Sequence, residues 1–194
     1  MTSQIQDGAG GVTWAKVDTN NRLHVSSESF AGEEIAAHNE DSFIVHGVCH
    51  LAASTDGALL SIKNTSADYH YHITRIYIDP HVITPAVLHL TQVANPTVTN
   101  GSTTTIQVLN KNLGSGASLV SESKISNGAA DLSFSGGTVF HDYLVQSKTS
   151  TQRNMLGTNV VTPGKTWGIA YNSTVAATDG ETIGLSVNIY RRKV

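Results

Sequence analysis

Alternation dominates this sequence. Apolar and polar residues exchange with period two in short runs, and each run is closed by Gly, Asn, Asp, Ser or Thr, the pattern of strands with one buried and one solvated face. It recurs at 43–51, 58–63, 70–78, 86–93, 104–109, 119–125, 137–145, 159–161, 167–171 and 183–190, which predicts eight to ten strands. Turn chemistry separates the runs: Thr55-Asp56-Gly57, Asn95-Pro96, Asn100-Gly101, Gly114-Ser115-Gly116, Asn127-Gly128, Pro163-Gly164 and Asp179-Gly180. One helix of any length is expected, at 30–39, with Ser29 as N-cap, Glu33 and Glu34 in its first turns and Ala36-Ala37 inside. A parallel sheet needs a crossover helix between strands, and so little helix cannot supply them. The expected fold is therefore an all-β antiparallel sandwich, a jelly roll rather than an up-and-down barrel given the uneven connections.

Residues 1–29 read as a separate arm and 30–194 as the jelly-roll domain. After a Gly-rich lead, the alternating runs 12–17 and 22–25 flank the polar loop Asp18-Thr19-Asn20-Asn21, which predicts a β-hairpin. A lone hairpin is marginal in water, so this one is expected to dock, with Val12, Trp14, Lys16, Val17, Arg22, Leu23 and Val25 as its interface and Trp14 as its anchor. At 194 residues the chain can bury roughly 70% of its unfolded surface and needs no metal or disulfide staple. Its single cysteine, Cys49, has no internal partner.

The formal charge is −3, and charged residues make up 14% of the chain against about 25% in average proteins. Basic residues are scattered apart from Arg191-Arg192-Lys193, so neither nucleic acid nor a membrane is an expected partner. No apolar run is long enough to span a bilayer, and the start lacks a signal peptide's basic and apolar regions, so synthesis in the cytoplasm is expected.

Residues that carry chemistry are sparse. His70 and His72 share a strand face, as do His46 and His50, but the cupin-type carboxylate that would complete a metal site after the first pair is missing from Ile73-Thr74-Arg75-Ile76. Asp18-x-Asn20 opens like a calcium loop, yet Arg22 stands where the next oxygen ligand belongs. There is no G-x-S-x-G elbow and no phosphate-cradling glycine loop before a helix, and the neighbours Glu33-Glu34 and Glu40-Asp41 read as solvated. Asn64, Asn100 and Asn172 match the glycosylation pattern at chance frequency. No catalytic, cofactor-binding or metal residue is assigned, and no cofactor and no enzymatic activity are expected.

Ala15-Lys-Val-Asp-Thr-Asn-Asn-Arg-Leu-His-Val25, followed by Ala36-Ala-His-Asn-Glu-Asp-Ser-Phe43, resembles the opening of a group of tailed-bacteriophage virion structural proteins. Ala58-Leu-Leu-Ser-Ile-Lys-Asn-Thr65 and Tyr71-His-Ile-Thr-Arg-Ile-Tyr77 are similar to that group's strand pattern, and Val161–Ala170 with Gly184–Tyr190 to the closing strands of viral jelly rolls. The resemblance implies a structural virion component assembled in the host cytoplasm. The favoured role is a head-associated decoration or fibre-base protein held by its arm to the major capsid or another virion protein; a tail or baseplate component is the alternative. Exposed sheet edges and an arm that must dock predict a closed homo-oligomer, a trimer, and nine histidines predict that its association weakens below about pH 6. The other reading is a carbohydrate-binding host-recognition module with Tyr69, Tyr71 and Trp167 at the glycan.

Overall fold

The computed structural model describes residues 3–6, 12–15 and 41–194, with 3–6, 12–15 and 156–158 described through their backbone. The chain divides into two compact units, Met1–Ala31 and Gly32–Val194. In the first, β1 (Ser3–Gln6) pairs antiparallel with β2 (Val12–Ala15), Gln4 opposite Trp14 and Gln6 opposite Val12. This pairing was not among the expected ones; the hairpin expected between 12–17 and 22–25 has its loop and its second strand outside the described residues. Lys16, Val17, Arg22, Leu23, Val25 and the helix expected at 30–39 lie outside the described residues.

The second unit is all β among its described residues, with every sheet antiparallel. Its strands are β3 (Ser42–His50), β4 (Asp56–Asn64), β5 (Tyr69–Pro80), β6 (Val87–Ala94), β7 (Thr97–Thr99), β8 (Gln107–Asn110), β9 (Ser121–Ile125), β10 (Ser133–Ser135), β11 (Thr138–Gln146), β12 (Thr151–Val161), β13 (Thr166–Asn172) and β14 (Thr182–Lys193). Four pairs are nested in sequence: β3 with β14, β4 with β13, β5 with β12, β6 with β11. Successive pairs fall in alternate sheets, giving the orders β12-β5-β14-β3-β8 and β11-β6-β13-β4-β9. The two inner faces share one core, in which Phe43, Val45, Ile76, Val187 and Ile189 of one sheet meet Leu60, Ile62, Leu90, Trp167 and Ile169 of the other. Alternation produces this directly: along β3, Phe43, Val45 and Cys49 are buried while His46, Val48 and His50 face outward.

All ten expected strands are present, but the expected total of eight to ten is too low, since twelve lie in this unit among the described residues. β7 and β10 form a separate two-stranded sheet that carries Phe134 onto the outer face of the second sheet. There Gly168 leaves room for the ring: a β-carbon at this position would lie 2.4 Å from Phe134 Cζ. Asn100 and Gly101 adopt φ of 57° and 80°, the left-handed conformation that an Asn-Gly turn supplies. β12 starts eight residues before its expected beginning at 159. As an edge strand rich in Gln, Arg, Asn and Thr it has too little one-sided burial to alternate. No helix among the described residues is long and apolar enough to cross a membrane.

Candidate functional site

β11 and β12 are the edge strands of their respective sheets, and a cleft of about 380 Å³ opens between them at the end of the body where β11 begins and β12 ends. Both edges are irregular beside it. In β11 the register slips between Val139 and His141, so Phe140 is an extra residue opposite β6. In β12 it slips between Asn154 and Asn159, leaving 155–158 opposite Thr74. Bulges of this kind redirect side chains. Phe140 and Asn159, which bound the two slips, both line the cleft.

Beneath the cleft lies a buried polar cluster inside an otherwise apolar core. Gln92 is fully buried. Its Oε1 accepts hydrogen bonds from Asn159 Nδ2 at 2.6 Å and Trp167 Nε1 at 2.9 Å. Its Nε2 faces the Tyr143 hydroxyl and the Met155 sulfur, the latter at 3.3 Å. Burial pushes the Tyr143 phenol up to about 12, against a smaller lowering by Arg153, whose guanidinium lies over the Tyr143 ring at 5.6 Å. Arg153 Nε is buried with no hydrogen-bond partner among the described residues. So many polar groups between two sheets are tolerated because nearly all are paired, and the pairing fixes Asn159 and Trp167 in one orientation. Lys165, Thr162 and Asn95 form the exposed rim, and no carboxylate is among the lining residues.

The residues singled out from sequence are placed differently. Tyr71 is fully buried, its hydroxyl donating to Val120 O at 2.5 Å, and Tyr69 packs against the core under the Arg191 guanidinium, 4.6 Å from its ring. Neither reaches the cleft, so the glycan platform expected of Tyr69, Tyr71 and Trp167 does not form. Trp167 lines the cleft, but it is 3% exposed and acts through the cluster rather than as a stacking surface. His72 stacks on Tyr190 with ring centroids 4.6 Å apart. Burial, then the neighbouring His70 and Arg192, hold its imidazole below the usual range. His46 Nδ1 lies 2.8 Å from Ser186 Oγ, while His50 sits between Asp131 at 3.3 Å and Asp179 at 3.7 Å. Among the described residues no three or more His, Cys, Asp or Glu side chains are grouped to hold a metal. Val12 and Trp14 lie on β2. Sequence reading missed Gln92, Asn159 and Phe140; the available signal was a glutamine at a core-facing position of β6, between the buried Leu88 and Leu90 and the strand end.

No protein-family model, curated protein or solved structure matches this chain.

Proposed function

We propose that the chain is a non-enzymatic structural subunit of a bacteriophage virion, its body a jelly roll. The observation that carries this reading is the nesting of β3:β14, β4:β13, β5:β12 and β6:β11 in alternate sheets. That order is what results when one long hairpin is wound over itself, a plan used by capsid and lectin domains. The resemblance of residues 15–25 and 36–43 to phage virion proteins supports the same reading. So does the division into a small N-terminal unit and a body, which suits a subunit anchored through its arm. β11 adds a nine-residue edge strand on which Val139 and Leu144, outside the cleft lining, are exposed, the kind of surface that assembly covers. Within this reading the subunit is a homotrimeric head-decoration or fibre-base protein that touches the major capsid protein; a tail or baseplate position is the alternative.

Quantitative mass spectrometry and immunogold labelling of virions, purified on a density gradient from cells producing the chain, test this. The expected result is a fixed copy number per particle, divisible by three, with gold on the head. Gold on the tail selects the alternative. A chain abundant in the lysate and absent from purified particles would overturn the virion reading.

A further inference from the structure

We propose that the cleft between β11 and β12 binds an acidic saccharide, a pyranose ring carrying a carboxylate. This inference rests on the cleft alone and stands apart from the virion reading. At about 380 Å³ the space falls in the lower part of the range of small-ligand sites. One wall is apolar and reachable: Phe140, lifted out of the β11 register, is 39% exposed and Val160 41%. An aromatic face beside a branched aliphatic side chain matches the C–H face of a pyranose.

The floor is polar and rigid. Asn159 lines the cleft and commits its amide N–H to Gln92, which holds in place a side chain whose carbonyl oxygen can accept from a sugar hydroxyl. Thr162 on the rim can donate or accept, as a polyol requires. The sign of the charge narrows the class. Lys165 is a lining cation and no lining residue is acidic, so a carboxylate gains a partner here and meets no repulsion. A phosphate-dense ligand would call for several fixed cations, and a fatty acyl chain would strand Asn159 and Thr162 against hydrocarbon.

The test uses the full chain in solution. Amide and indole NMR resonances are followed during titration with a glucuronate-containing disaccharide and, separately, with neutral N-acetyllactosamine, after the Trp167 indole signal is assigned with a Trp14→Phe variant. The acidic disaccharide is expected to shift the Trp167 indole N–H and the amides of 140–141 and 159–162, with a dissociation constant on the order of 1 mM. The neutral sugar is expected to bind roughly tenfold more weakly, as one lost charge-assisted contact implies. Lys165→Met should abolish that preference, and Phe140→Ala should weaken both sugars. Both substitutions lie at exposed positions, and the remainder of each spectrum reports that the fold persists. The proposal is overturned if neither sugar moves these resonances at about ten times that concentration, if the shifts map elsewhere, or if the neutral sugar binds as tightly as the acidic one.

Discussion

Replacing Gln92 by leucine tests whether the polar cluster is a single unit. Leucine approximates the volume of glutamine but removes the acceptor shared by Asn159 Nδ2 and Trp167 Nε1 and the donor facing Tyr143 and Met155. Asn159 is 7% exposed and Trp167 3%, so neither freed donor is compensated by bulk water. Each of the two stranded donors is worth about 1–3 kcal/mol, and the added apolar burial returns about 1 kcal/mol, for a net loss of roughly 1–5 kcal/mol. For a chain of this length that lowers the melting temperature by roughly 2–20 °C. Urea unfolding followed by Trp167 fluorescence in a Trp14→Phe background gives the free energy, and calorimetry the temperature. Gln92→Glu provides a second measurement. Desolvation raises a buried carboxyl's pKa, so the folded state binds the proton more tightly than the unfolded one and stability falls as pH rises above about 4.3. This variant should therefore be closer to the parent at pH 5 than at pH 8. A Gln92→Leu chain within about 0.5 kcal/mol of the parent would mean that the freed donors find other partners, and the cluster would lose its role as the rigid floor of the cleft.

Gly168→Ala pushes a β-carbon into the Phe134 ring; we expect a loss of about 1–3 kcal/mol, largely relieved by the pair Gly168→Ala/Phe134→Ala in a double-mutant cycle. Arg191 bonds Asp41 at 2.6 Å and Ser118 O at 2.9 Å and lies over the Tyr69 and Phe43 rings. Arg191→Ala should cost about 2–4 kcal/mol in urea unfolding, and Arg191→Lys should restore little of it because an ammonium cannot match the planar contacts. Burial pushes the phenols of Tyr71 and Tyr171 up to about 12, so the unfolded chain loses those protons first and stability should decline as pH rises from about 10 toward 12. Absorbance titration should then show tyrosine ionisation arriving together with unfolding rather than before it. For the arm, Trp14→Ala should leave the melting temperature of the body unchanged while reducing assembly at least tenfold, by light scattering; a lowered melting temperature with assembly intact would assign Trp14 to the fold instead.

What could be read from the sequence depended on one-sided burial. β3, β4, β13 and β14 lie in sheet interiors with one face in the core, so residues such as Phe43, Ile62, Ile169 and Val187 imprint period two, and these strands stand within a residue or two of their expected starts. β7 and β10 are three residues each and pack a single ring, Phe134, on an outer face, too little burial for any periodic signal. The β1–β2 pairing was missed because Ser3-Gln4-Ile5-Gln6 carries a single apolar residue and so no periodic signal. The glycan candidates failed for a different reason: Tyr71 and Trp167 are large and amphipathic, and sequence cannot separate an exposed aromatic from one buried with its polar tip satisfied, as both are here.

Two positions where the strand pairing slips, one on each edge strand, are also where the polar chemistry gathers. Thr151–Asn154 obeys one pairing register with β5 and Asn159–Val161 another, while Phe140 interrupts β11 opposite β6. A straight continuation of β12 from Asn154 would set Asn159 opposite His70 rather than Ile73, three positions further along β5, and a straight β11 counted back from His141 would pair Phe140 with Val93 and leave no extra residue there. Without Asn159 in place, Gln92 would lose the closer of the two donors to its Oε1, and a fully buried amide at the end of β6 would be a liability that an aliphatic residue avoids. The two register slips and the buried glutamine therefore make sense together and not singly. Local departures from a consistent pattern are where a fold holds a site at the expense of regularity; the pairings of β13 with β4 and of β14 with β5 slip as well, but the slips of the two edge strands border one cleft at the open edge of the body.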